Sequence, residues 1–165
     1  MIVNKPEHMS DADWQWSEYN RLSLEYMKSG DFAALRGIQY EMSMQLKREG
    51  KHFDAIRLLM YMCCSDLAGV SLAGWYTLDL FDYGSTPMSL APGIVKQVGI
   101  CQRKLKMSDD ELKGKLLSFA NERPELAIYF SADEMVDIFF LERDGEKNKV
   151  AEIYKMANKR HKVNK

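Results

Sequence analysis

The chain has 165 residues, 46% of them apolar and 28% charged, and a formal net charge of −1 at neutral pH. A domain of that size buries a core without disulfides or a structural metal, and the apolar share excludes a disordered chain. Near-neutrality excludes a molecule that binds nucleic acid through its overall charge, and no apolar run approaches the ~18 residues of a membrane span.

Residues 1–9 read as a flexible tail, too polar for a signal peptide and too acidic for a transit peptide. An odd cysteine count, with Cys63 and Cys64 adjacent and Cys101 apart, is not a secreted disulfide framework. Together these features predict a cytoplasmic protein with no membrane contact.

From residue 10 onwards the chain reads as helix. Ser10, Ser108 and Ser131 each stand three residues ahead of a carboxylate, at Asp13, Glu111 and Glu134. That spacing satisfies the free N–H groups of a first helical turn and places negative charge at the positive end of the helix dipole. Gly30, Gly50 and Gly145 each follow a helical run, where a left-handed C-cap favours glycine. The signals predict helices near 11–29, 31–49, 52–68, 70–83, 92–106, 109–122, 132–143 and 146–160. In most of them apolar residues recur at helical spacing, as in Leu112, Leu116 and Phe119. The fold class is therefore all-α, with about eight helices in an antiparallel bundle or a short α-solenoid.

Two stretches, "AIRLLMYMCC" and "GVSLAGWYTLDLFDY", are apolar nearly all round, so they belong at the centre with other helices on several sides. The loop "YGSTPMSLAPG" divides candidate lobes at 10–83 and 92–160, although one all-α domain over 10–160 is the simpler organisation. "PELAIYF" reads as a short helix or an extended link, and 161–165 as a basic tail.

A short echo lies in the first half. Phe32-Ala33-Ala34-Leu35-Arg36 follows one glycine turn, and Phe53-Asp54-Ala55-Ile56-Arg57 follows another. Each reads as a helix start whose Phe, Ala and aliphatic residue turn inwards. The second, in "LKREGKHFDAIRLLMYM", resembles the hinge of a tetratricopeptide repeat, with Gly50 and Ala55 at the family's spacing and Phe53 one place late. The resemblance covers residues 10–55, and the echo recurs after one helix rather than two. Independently of the resemblance, the short connections at Gly30 and Gly50 make the first three helices antiparallel neighbours, and the absence of a catalytic constellation makes the chain read as a protein-interaction module of adaptor or inhibitor type.

No motif for catalysis, metal or cofactor stands out, so the chain reads as non-enzymatic, with no cofactor. The cysteines have apolar neighbours, which makes a thiol inert, and His8, His52 and His161 lack ligand spacing. The candidate sites are binding surfaces. Trp14, Trp16, Tyr19 and Tyr26 crowd the first helix and suit an interface with another protein or a second copy; the plainer alternative is core filling. Asp79 and Asp82, three apart in an apolar helix, form with Asp66 a polar groove for a basic partner, or simply a face that reaches water. Residues 145–165 carry seven Lys or Arg against two Glu. Lys155, Lys159, Arg160 and Lys162 are thus candidates for phosphate contact, nucleic acid being the alternative partner.

Overall fold

Capping chemistry sets the helix boundaries in the computed structural model, which describes residues 7–8, 14, 17–19, 21–22, 25, 28–29, 32–72, 92–127 and 129–163. Among these residues six α-helices have defined bounds, in chain order α1 (Phe32–Arg48), α2 (His52–Leu72), α3 (Pro92–Leu105), α4 (Asp109–Asn121), α5 (Ala132–Arg143) and α6 (Lys147–Val163). One 3-10 turn, Pro124–Leu126, joins α4 to α5, and the described residues of the N-terminal segment from Trp14 onwards are also helical. The fold is all-α, with no strand among the described residues.

Ser108 and Ser131 cap α4 and α5, their hydroxyls accepting from the Glu111 and Glu134 N–H groups at 3.2 and 3.1 Å. At Ser131 the capping box is complete, because the Glu134 carboxylate accepts the Ser131 N–H at 2.8 Å. α1 ends on Gly50 at φ 77°, where Gly50 N–H donates to the Lys47 carbonyl and Lys51 N–H to that of Leu46. This paired 5→2 and 6→1 pattern is the Schellman motif. Gly145 closes α5 in the same way at φ 74°. α3 closes with the same two bonds, Lys106 to Arg103 and Met107 to Gln102, but with Lys106 held at φ 53°.

α2 lies at the centre. It packs against α1, α3, α4, α5 and the 3-10 turn. Every residue from Leu58 to Cys64 is buried, so no arc of the helix over two turns meets solvent. α4, α5 and α6 continue as an antiparallel run, each packed on the next. One core joins α1 and α2 to α3–α6, so the two candidate lobes share it.

Three expectations are corrected. α2 does not stop near residue 68 but runs to Leu72 through Gly69, since a mid-helix glycine costs only about 1 kcal/mol. Phe53 does not turn inwards with Ala55; it is 38% exposed, while Ala55 and Ile56 are buried. Two residues span about 200° of helix, so Phe53 and Ala55 cannot share a face. Phe53 instead meets Phe119 edge-on at 5.3 Å, below the Lys115 ammonium. At the C-terminus, residues 161–163 continue α6 rather than opening the tail.

Left-handed backbone at Lys106 costs a residue with a Cβ about 1–2 kcal/mol. Lys106→Gly is therefore expected to raise stability by about 0.5–1 kcal/mol after the added entropy of the unfolded chain. Gly50→Ala should lower it by about 1 kcal/mol. Denaturant midpoints of the two variants measure both effects.

Candidate functional site

Two constellations of polar side chains stand out against this core. The first joins the N-terminal segment to α1, α2 and the end of α4. Tyr61 on α2 donates its hydroxyl to the Glu122 carboxylate at 2.6 Å. Arg57, one turn earlier, donates Nε to the same carboxylate at 2.9 Å and to the Tyr61 hydroxyl at 3.0 Å. Arg123 lies 5.0 Å from the Tyr61 ring centre and 5.8 Å from that of Tyr19, and it donates to the Tyr19 hydroxyl at 3.3 Å. Gln39 on α1 donates to the same hydroxyl at 3.0 Å, and the two tyrosine rings stack at 6.4 Å.

Burial, reinforced by the Glu122 carboxylate, pushes the Tyr61 phenol up to about 12 against the opposing pull of Arg57. The phenol keeps its proton at neutral pH and donates it to Glu122. The cluster is a clamp. Tyr19 occupies its centre and is fully buried, so in this residue the aromatic stripe takes the core alternative and offers nothing to a partner.

The second constellation is a cleft of about 450 Å³ where α4, α5 and α6 meet. α5 forms its floor with Phe140, Leu141 and Asp137; α4 supplies Asp109, Asp110 and Lys113; α6 supplies Ile153. Arg143 fixes the α4 wall, donating from Nη1 and Nη2 to the two Asp109 oxygens at 2.9 and 3.2 Å. Such a bidentate pair is directional as well as charged. Gln102 adds a hydrogen bond to Asp109 at 2.8 Å. The Arg143 and Gln102 hydrogen bonds hold the Asp109 carboxyl below its ordinary range. Arg143 also lies over the Phe140 ring at 4.7 Å, which ties the floor to the wall.

Asp110 and Asp137 are exposed and make no ion pair within 4.0 Å among the described residues. Asp133 stands one turn before Asp137 on the same side of α5 and is also exposed. On α6, Lys149, Ile153, Met156 and Arg160 follow one another at spacings of four, three and four, and so form one stripe along the helix. Ile153 is in the cleft, and Met156 beside it is 64% exposed. Arg160, at the end of the stripe, is committed within the chain, donating to the Glu134 carboxylate at 2.9 and 3.2 Å and to the Tyr129 carbonyl at 2.9 Å.

The remaining sequence candidates fall as follows. Trp14 is half-buried, its indole N–H buried with no partner among the described residues. Trp16, Tyr26, Asp79 and Asp82 lie outside the described residues. Asp66 is buried rather than turned to water. Lys155 and Lys159 are exposed on α6; Lys162 is on the same helix, but its side chain is outside the described residues. The structure does not bring Arg160 to a free basic patch. Cys63, Cys64 and Cys101 are buried thiols. Burial pushes the Cys63 thiol well up, and the nearby Asp66 and Glu142 carboxyl groups act in the same direction. No group of three or more His, Cys, Asp or Glu among the described residues is arranged to hold a metal ion, and no described helix is long and apolar enough to cross a membrane.

Sequence reasoning missed the cleft. Asp109 and Asp110 follow the capping Ser108 and fit a solvated helix start, and Ile153 recurs at helical spacing with Val150, Tyr154 and Ala157 as a core-facing residue would; both patterns are locally sound. A usable signal was the α5 outer face, where Asp133, Asp137, Phe140 and Leu141 put two apolar residues among carboxylates. In comparisons with known proteins the chain matches no family model, no curated protein and no solved structure.

The Tyr61 phenol carries a linkage prediction. Its native value lies above the ordinary 10.0, so folding holds the proton more tightly. The stability this confers is complete below pH 10 and is lost as pH rises towards about 12. Unfolding free energy measured against pH should fall across that window in the wild type and less steeply in Tyr61→Phe.

Proposed function

We propose that the chain is a non-enzymatic protein-interaction module of the cytoplasm, an adaptor or inhibitor that receives its partner in the cleft between α4, α5 and α6. The observation that carries the reading is the combination at that cleft. An apolar floor of Phe140 and Leu141 adjoins Ile153 and the exposed Met156, and carboxylates without ion pairs stand at its rim. Apolar surface ringed by polar groups is the usual anatomy of a binding patch. Arg143 holds the α4 wall and the floor in register before any partner arrives, which lowers the ordering cost of association.

A photo-crosslinking residue in place of Asp137 is expected to form an adduct with another protein in cells, while the same residue in place of Lys104, exposed at the end of α3, is not. Equal adducts at both positions, or none at either, would sink the assignment of the cleft.

A second reading is contact with nucleic acid through α6. It is supported by the exposure of Lys155 and Lys159, and it is narrowed by the engagement of Arg160 with Glu134. Under this reading, RNA or DNA mobility shifts at low salt fade steeply as salt rises and disappear in Lys155→Glu/Lys159→Glu. A full-length chain that leaves both nucleic acids unshifted at low salt rules the reading out.

A further inference from the structure

The tyrosine clamp divides into a slot and the side chain that fills it. The walls come from three elements. Gln39 stands on α1, Tyr61 on α2, and Arg123 between α4 and the 3-10 turn. Tyr19 comes from the N-terminal segment and is fully buried among them. Its ring lies nearly parallel to that of Tyr61, with 16° between the planes and 6.4 Å between the centres. The Arg123 guanidinium lies 5.8 Å from the Tyr19 ring centre. The Tyr19 hydroxyl accepts from Gln39 at 3.0 Å and from Arg123 at 3.3 Å. The slot thus grips both parts of a phenol. It offers an aromatic face and a cation to the ring, and two donors to the oxygen.

The walls have holds of their own. The Tyr61 hydroxyl donates to Glu122 at 2.6 Å and accepts from Arg57 at 3.0 Å. The Arg123 guanidinium rests on the Tyr61 ring at 5.0 Å. None of these contacts involves Tyr19. On the segment that carries Tyr19, Arg21 pairs with Glu18 at 2.9 Å and with Glu25 at 3.3 Å, both on that same segment. A buried tyrosine set against an arginine is a common anchor between separate proteins. Walls that are already in place lower the ordering cost of filling the slot.

We infer that the slot formed by Gln39, Tyr61 and Arg123 is a recognition site for a tyrosine side chain, and that Tyr19 is its ligand, supplied by the chain itself. The N-terminal segment is then an autoinhibitory plug: a tyrosine presented by another protein gains the slot only when Tyr19 leaves it. The slot shares no residue with the lining of the cleft between α4, α5 and α6, so the two sites are independent. Selectivity lies in the hydroxyl. A bare ring in the slot leaves buried donors without their acceptor, and a site built to hydrogen-bond a hydroxyl rejects the analogue that lacks it.

The test uses the full chain carrying Tyr19→Ala, which empties the slot, and p-cresol, which is the tyrosine side chain alone. p-Cresol should raise the melting temperature of this variant in step with its concentration. Toluene, which lacks the hydroxyl, should bind about tenfold more weakly or worse. Wild type should respond to neither, since Tyr19 holds the slot. Adding Gln39→Leu should shrink the preference for p-cresol. Equal binding of p-cresol and toluene, no binding of p-cresol to the variant, or an equal response from wild type overturns the proposal.

A second measurement tells a plug from an integral piece of the core, and it decides the matter if Tyr19→Ala does not fold. In wild type, amide hydrogens around Tyr19 should exchange about tenfold faster or more than those of residues 58–64 in α2, through an opening that leaves α2 closed. Tyr19→Phe keeps the ring and loses the hydroxyl, so it should speed exchange around residue 19 about fivefold or more. Exchange around Tyr19 as slow as in α2, or unchanged in Tyr19→Phe, overturns the plug.

Discussion

A helix that is apolar on every side has no place at a surface, and that constraint organises this molecule. Residues 58–64 of α2 bury their side chains in all directions, so neighbours must be found for each of them. α1, α3, α4, α5 and the 3-10 turn supply those neighbours. Burying a large aliphatic side chain contributes roughly 1.5–3 kcal/mol, so a run that includes Leu58, Leu59, Met60 and Met62 outweighs local preferences along the partner helices. The amphipathic helices arrange themselves around the central one because it cannot be arranged around them. α6 is the exception: its main packing is on α5.

The two polar constellations follow from that placement. The clamp at Tyr61 lies where a phenol at the edge of the central helix needs a partner for its hydroxyl, and Glu122 at the end of α4 meets the need. A buried donor without an acceptor costs about 1–3 kcal/mol, so this contact ties the end of α4, which stops ahead of Pro124, to the central helix. The cleft arises for the opposite reason. α5 turns Met135, Val136, Ile138 and Phe139 towards the core, which leaves Asp137, Phe140 and Leu141 on its outer side. α4 and α6 flank that side, and the space between them is the hollow.

What could be read from the sequence was whatever is decided within one helical turn. Ser131 and Glu134, or Gly145 after Arg143, announce a helix start and a stop through bonds to their own backbone, and α5 runs where those signals place it. α3 also stops within one residue of its expected end at 106, although Lys106 rather than a glycine takes the left-handed position there. Phe53 and Asp66 show where the one-turn view ends. Phe53 could not share the buried face of Ala55, but only α4, far along the chain, gives it Phe119 and Lys115 as neighbours, and Asp66 is buried by helices its own turn does not announce. The cleft is the extreme case. Asp109 and Arg143 are 34 residues apart, Ile153 comes from a third helix, and no local pattern announces that the three meet.

The three buried thiols have a consequence of a different kind. Cys63 sits on the central helix and Cys101 on α3, both without exposed surface, and burial raises both thiol values. A thiol-specific reagent can reach neither until its helix parts from its neighbours. The chain therefore carries two internal clocks. The rate at which Cys101 is labelled times the lifting of one peripheral helix. The rate at Cys63 times the opening of the core on which α1, α3, α4 and α5 lean, and the ratio of the two says whether the protein opens piecemeal or all at once.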